Sequence, residues 1–267
     1  MIEHRGRVLI IAGSDSGGGA GIQADLKTVL ALGGYGATAI TAITVQNTLG
    51  VSDVFGVPPA IVAAQARAVL EDIGADALKT GMLGDVAMVE QVAEILEGVR
   101  VPVVVDPVMT AKGGASLLAS GAVAAVARLL VPRAALLTPN APEAAILTGL
   151  EVAGLDDLRR AGARLLTLGA GAVLMKGGHL QGPRVTDLLI TPDGETTLES
   201  ERIETRHTHG TGCTLASGVA VGLAQGLSLT QAVTRAWSYV HQAILQAPGF
   251  GAGHGPLDHG WPLRGKA

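Results

Sequence analysis

The chain has 267 residues and a formal net charge of −4, with 48% hydrophobic residues, only 2% aromatic and 38 glycines. A mildly acidic balance offers no general attraction for nucleic acid or anionic membrane, and one cysteine leaves no internal disulfide framework and fits a reducing, cytoplasmic compartment. No apolar run reaches the length of a membrane span, Met1 to Gly6 is too short and too polar for a signal peptide, and a chain of this length buries roughly three quarters of its unfolded surface in a core that here must be aliphatic.

Val8 to Ala12 is a short continuous apolar run, the pattern of a strand buried on both faces. A glycine-rich loop, residues 13 to 21, leads to a helix over Ile22 to Leu32. A second strand spans Ala37 to Val45 and ends at Gln46-Asn47. Val51 to Val57 is short and β-like, and Pro58 suits the first turn of a helix running to about Ile73. From there strands at Ala77 to Thr80, Val103 to Asp106, Ala135 to Thr138 and Val173 to Lys176 alternate with helices at Val86 to Glu97, Ser116 to Leu130 and Leu155 to Leu168. Such alternation predicts a mostly parallel sheet covered by helices on both faces. Val185 to Ile190 and Glu195 to Ile203, joined through Pro192-Asp193-Gly194, read as an antiparallel hairpin, and a last helix covers Thr230 to Gln246. No linker interrupts the pattern, so residues 1–267 read as one domain.

Ligands of open parallel sheets bind beyond the carboxyl ends of the strands. Polar and glycine-rich residues collect there: Gly13-Ser14-Asp15, Gln46-Asn47, Thr80-Gly81-Met82, Asp106-Pro107, Thr138-Pro139-Asn140 and Lys176-Gly177-Gly178. The stretch His207 to Thr214 then runs directly into a small-sided helix. Unpaired N–H groups and the helix dipole favour an anion at such a start, and Gly210 and Gly212 let it approach the backbone. The stretch reads as a phosphate-transfer corner or, alternatively, as a Gly/Thr-rich cap over a buried thiol. Gly19-Ala20-Gly21-Ile22-Gln23-Ala24 fits the G-x-G-x-x-A dinucleotide pattern, but Gln46-Asn47 stands where a dehydrogenase needs an acid. There is no G-x-x-x-x-G-K-[ST] loop and no Cys/His cluster at zinc spacing.

The ordered segments AGSDSGGGAGIQADLKT, TAITVQNT, LKTGMLGD, VVVDPVM with AKGGA, TPNAPEA, MKGGH, HTHGTGCTLASG and GHGPLDH resemble the hydroxymethylpyrimidine/phosphomethylpyrimidine kinases of thiamin biosynthesis, within the ribokinase-like superfamily. The resemblance covers nearly the whole chain. It implies a three-layer α/β/α sandwich with a mainly parallel central sheet and a small β flap, contributed here by residues 15–20 and 47–57. It also implies a homodimer that uses ATP and Mg2+ to phosphorylate 4-amino-5-hydroxymethyl-2-methylpyrimidine, and then its monophosphate, in one pocket. Pyridoxine/pyridoxal kinases, or enzymes of dual specificity, share this sequence type; a non-catalytic pyrimidine sensor is a third reading.

Residue roles follow the same resemblance. Gln46 offers the acceptor and donors that an aminopyrimidine edge requires. Asp25 is expected at the substrate hydroxymethyl group, with Gly13, Val45, Met82 and Val108 lining the pocket. Asn140 and Glu143 match an N-x-x-E motif, and Glu143 with Asp106 would position Mg2+, a hard ion that few carboxylates and several waters suffice to hold. Lys176 and Lys112 reach toward the nucleotide phosphates; His209 is either a phosphate donor or a loop brace. Gly210, Thr211, Gly212 and Cys213 form the anion hole for the γ-phosphoryl group. Cys213 stands where related sugar kinases carry an aspartate, at a helix start expected to favour its thiolate, and it assists the first transfer more than the second.

Overall fold

In a computed structural model the described residues are 5–109, 119 and 121–264. They build one nine-stranded sheet in the order β3-β2-β1-β4-β5-β6-β7-β8-β9. The strands are β1 (Arg7–Asp15), β2 (Tyr35–Asn47), β3 (Gly50–Gly56), β4 (Ala77–Thr80), β5 (Val103–Val105), β6 (Leu136–Leu137), β7 (Val173–Met175), β8 (Arg184–Thr191) and β9 (Gly194–Glu201). Pairing is parallel from β2 through β7 and antiparallel for β3, β8 and β9 at the two edges. The helices are α1 (Gly21–Ala31), α2 (Pro59–Asp72), α3 (Val86–Glu97), α4 (Ala122–Ala125), α5 (Ala141–Thr148), α6 (Leu155–Thr167), α7 (Thr211–Ala224) and α8 (Leu229–Leu245).

Alternation along β1 explains the layers. Leu9 and Ile11 join the core packed by α2 to α6, whereas Val8, Ile10 and Ala12 join the core packed by α1, α7 and α8. A strand covered on both faces therefore reads as unbroken apolar sequence. Each such aliphatic side chain contributes about 1.5–3 kcal/mol of burial, so hydrophobicity without aromatic residues is sufficient here. The small residues of α7 have their own reason. A Cβ on Gly218 would lie 2.8 Å from the Ala236 Cβ, and one on Gly222 would lie 2.7 Å from the Ala232 Cβ, so α7 and α8 approach almost backbone to backbone.

Most expected elements appear within a residue or two of their bounds. The helix expected over Ser116 to Leu130 is described from Ala122, and its last part is a wider π turn, Val126–Leu130, before a short 3-10 turn at Val131–Arg133. The hairpin expected near residues 185–203 is β8–β9, and it extends the main sheet by antiparallel pairing to β7. At the opposite edge, β2 and the exposed β3 form a second hairpin over residues 42–56, in the region expected to supply the flap. Among the described residues no helix is long and apolar enough to cross a membrane.

Candidate active site

A cavity of about 600 Å³ opens at the carboxyl ends of the parallel strands, between those ends and the start of α7. Of the residues singled out in the sequence, Gly13, Gln46, Met82, Asp106, Val108, Asn140, Glu143, Lys176, His209, Gly210, Thr211, Gly212 and Cys213 all line it. Lys112 lies outside the described residues.

Charged groups converge in the middle of the cavity. Lys176, just past β7, places Nζ 3.0 Å from Asp106 Oδ1 and 3.9 Å from Glu143 Oε2. The Thr138 hydroxyl donates to the same Asp106 oxygen at 2.9 Å. Burial works against the Asp106 charge, but Lys176 and Lys79 outweigh it and hold the carboxyl below its usual range. Glu143 goes the other way: burial, reinforced by Asp106, pushes it up to about 7 against the pull of Lys176. Glu143 also accepts the Asn140 N–H at 2.8 Å, while Asn140 Oδ1 accepts the Glu143 N–H at 2.9 Å, a reciprocal cap of α5. The N-x-x-E spacing thus fixes this carboxylate beside Lys176. Asp106 and Glu143 together offer the few carboxylate oxygens that suit a hard divalent cation shared with phosphate oxygens, a cation that would displace the proton Glu143 tends to hold. Among the described residues no group of three or more His, Cys, Asp or Glu forms a closed metal cage.

The start of α7 faces this cluster. Gly210 precedes it at φ +83, and a Cβ there would fall 1.8 Å from the Gly19 carbonyl oxygen, so only glycine lets the two loops meet. No side chain caps the helix; the Thr211 N–H turns back to the Thr208 carbonyl at 3.4 Å, while Gly210, Gly212 and Cys213 line the cavity. A Cβ on Gly212 would lie 3.1 Å from Lys176 Nζ and 3.6 Å from Asp106 Oδ2, so the helix start, the lysine and the carboxylate surround one small volume. The thiolate expected at Cys213 is not favoured in this arrangement. Burial, aided by Asp25 and Asp106, pushes the thiol up to about 11 despite the nearby Lys79 ammonium.

Beyond the helix start the cavity continues between Gln46, Gly13, Met82 and Val108. His209 Nε2 sits 2.9 Å from Asp15 Oδ2 and 2.9 Å from the Gln46 carboxamide, so His209 is engaged with the loop and with Gln46. Two expected lining residues are elsewhere. Val45 is 58% exposed and absent from the cavity wall, because side chains alternate along β2 and its neighbour Gln46 takes the inward position. Asp25 does not reach the cavity either. It lies fully buried beyond the first turn of α1, receiving Lys79 Nζ at 2.9 Å and the Ser217 hydroxyl at 2.7 Å.

Lys79, Asp187, Trp237 and His241 also line the cavity, and sequence reasoning missed them; Lys79 had a signal. It is wholly buried, yet its side chain forms part of the cavity floor. A lone lysine inside the apolar strand Ala77–Thr80 was the available signal, since a buried ammonium requires a buried carboxylate. At the far end Asp187 accepts the Gly177 N–H at 2.7 Å and the Trp237 Nε1–H at 3.2 Å, beside a Trp237–His241 stack with ring centroids 5.8 Å apart.

The sequence model for phosphomethylpyrimidine kinase matches residues 15–258. A hydroxymethylpyrimidine/phosphomethylpyrimidine kinase of Streptomyces coelicolor is 53% identical over 256 residues, covering 96% of this chain and 95% of that protein. A thiamine biosynthesis bifunctional protein of Geobacter sulfurreducens is 52% identical over 256 residues, 96% of this chain and 52% of that protein. Among solved structures, the pyridoxal kinase of Staphylococcus aureus in complex with AMP-PCP and pyridoxal superposes with a TM-score of 0.89. It is 35% identical and covers 97% of this chain and 95% of that one.

Proposed function

The chain belongs to the phosphomethylpyrimidine kinase family, and from that membership we propose how its cavity carries out two successive phosphoryl transfers. The enzyme uses ATP to phosphorylate 4-amino-5-hydroxymethyl-2-methylpyrimidine, and then phosphorylates the monophosphate to the diphosphate, in thiamine biosynthesis. The observation that carries the assignment of roles is the meeting of Lys176, Asp106 and Glu143 with the uncapped start of α7.

Phosphoryl transfer leans on positioning and on neutralising charge. The N–H groups of Gly210, Gly212 and Cys213 are fixed donors for the γ-phosphoryl oxygens, and Lys176 supplies a neighbouring positive charge. Asp106 and Glu143 are the residues to hold Mg2+, which when bound neutralises phosphate charge. With Glu143 already strained by its neighbours, a cation there relieves repulsion as well as binding ligand. Gln46 faces the pyrimidine edge, with Gly13, Met82 and Val108 around the ring. The trio of Asp187, Trp237 and His241 lies at the opposite end, where the nucleotide base is left to bind. The exposed apolar side chains of the β2–β3 edge, Ile43, Val45 and Phe55, support pairing with a second copy, and the single thiol supports a cytoplasmic location.

Pyridoxal kinase activity is the second reading, carried by the likeness to the S. aureus enzyme. Higher identity to the pyrimidine kinases favours the first. A non-catalytic sensor has no use for the intact Lys176–Asp106–Glu143 cluster. Product analysis after incubation with ATP and hydroxymethylpyrimidine tests the proposal: monophosphate followed by diphosphate supports it, and no phosphorylated product contradicts it.

A further inference from the structure

We propose that Asp15, His209 and Thr44 lock the carboxamide of Gln46 in one orientation, which makes His209 a positioning residue for ring recognition. The inference rests on the reading that Gln46 holds the pyrimidine ring.

Asp15 acts as an acceptor at every contact. Its Oδ1 takes the Gly17 N–H at 2.8 Å, and its Oδ2 takes those of Gly19 at 3.1 Å and Ala20 at 2.8 Å. Burial would raise the acid, but these donors and His209 hold it below its usual range. His209 Nε2, 2.9 Å from Oδ2, must therefore carry a hydrogen directed at Asp15. The same nitrogen lies 2.9 Å from the amide nitrogen of Gln46. An NH2 group there sets donor against donor, and turning the amide over, so that its oxygen faces His209, removes the conflict.

The other end of the amide gives the same orientation independently. Thr44 Oγ1 is 3.2 Å from the amide oxygen, and the single hydroxyl hydrogen of Thr44 is committed to the Ser14 carbonyl at 2.9 Å. Thr44 can only accept, so the same turn of the amide, which brings the NH2 of Gln46 to Thr44, satisfies this neighbour as well. A carboxamide has two lone pairs and two N–H bonds. With one lone pair spent on the His209 hydrogen, which it shares with Asp15, and one N–H on Thr44, one acceptor and one donor are left. That is the complement of a ring nitrogen beside an amino group.

His209 is itself held firmly. It is buried, its backbone N–H donates to the Gly255 carbonyl at 3.1 Å, and its ring edge lies where a Cβ on Gly19 would come within 2.6 Å. Its Nε2 hydrogen is already used, which leaves that atom nothing to offer a phosphate.

The test is a double-mutant cycle of His209→Ala and Gln46→Leu, with KM for hydroxymethylpyrimidine and for ATP measured separately. Loss of one buried polar restraint is expected to raise the pyrimidine KM about tenfold, at least about fivefold more than the ATP KM. In the Gln46→Leu background, His209→Ala is expected to add almost nothing. His209→Gln, which keeps a side-chain N–H, is expected to recover part of the loss and serves in the cycle if the alanine variant does not fold. A loss that is additive in the two backgrounds, or that falls equally on ATP, overturns the brace. If Gln46→Leu alone leaves the pyrimidine KM unmoved, the assignment of Gln46 to the ring fails instead.

Discussion

Lys79 and Asp25 face each other at 2.9 Å with neither side chain reaching solvent. The pair ties β4 to α1 beneath the cavity, and Ser217 joins it from α7. Burial opposes the Lys79 charge, but Asp25, with Asp106 behind it, more than offsets the penalty, so the ammonium stays protonated. Lys79→Met leaves a buried carboxylate without its cation and is expected to cost about 3–5 kcal/mol. Asp25→Leu combined with Lys79→Met is expected to recover most of that loss. Urea unfolding of the single and double variants measures both; a loss well under 1 kcal/mol for Lys79→Met contradicts a tightly coupled pair.

Cys213 is a protonated thiol at neutral pH in the unliganded cavity, since its pKa lies near 11. Iodoacetamide at pH 8 is therefore expected to alkylate it roughly a hundredfold more slowly than a free cysteine of ordinary pKa. Any help it gives in catalysis comes when substrate is bound. Attack by a hydroxymethyl group requires loss of a proton, whereas a phosphate oxygen needs little or no base. Cys213→Ala is thus expected to slow the first transfer about tenfold more than the second. Equal losses in the two single-turnover rates contradict this role.

Gly212 lies beside Lys176 at the helix start proposed as the anion hole. A valine there would press on Nζ, which a Cβ approaches to 3.1 Å, and would displace the helix start. Turnover is expected to fall about a hundredfold, as for loss of a preorganised transition-state donor, with a much smaller change in ATP affinity. Equilibrium nucleotide binding beside kcat separates the two, and a loss confined to affinity counts against the anion hole.

His259 supplies a pH signature of the folded state. It lies buried against Thr214, with Nε2 2.9 Å from the hydroxyl, and burial lowers its pKa from 6.5 to about 4. Between those values the unfolded chain takes up a proton that the folded chain refuses. This contribution to stability is fully present above pH 6.5 and is lost as pH falls toward 4, by up to about 3 kcal/mol. His259→Gln is expected to flatten that acid limb in unfolding measurements between pH 7 and 4.5; an unchanged slope shows that other groups cause it.

Much of the frame was legible because burial writes itself into local pattern. The apolar run of β1, the strand Ala77–Thr80 and the helix Val86–Glu97 follow from periodicity and punctuation alone. The strand-end clusters of Asp106, Asn140 and Lys176 were legible for a similar reason, since parallel sheets bring those ends together. What escaped depends on contacts remote in sequence. Asp25 finds Lys79 54 positions away and Ser217 192 positions away, and no local signal ties the three. Likewise, α7 and its dipole suggested a reactive Cys213, but the desolvation that opposes it arises from the surrounding fold. Val45 is a different case: alternation along β2 already forbade Val45 and Gln46 from facing the same cavity.

The account stands or falls on which ring the cavity accepts. Steady-state kinetics with hydroxymethylpyrimidine and pyridoxal side by side, at saturating ATP and Mg2+, measures this directly. The donor and acceptor left on Gln46 favour the aminopyrimidine edge, and kcat/KM for the pyrimidine is expected to exceed that for pyridoxal by about a hundredfold, the discrimination of roughly two buried hydrogen bonds. Equal or greater kcat/KM with pyridoxal would contradict it.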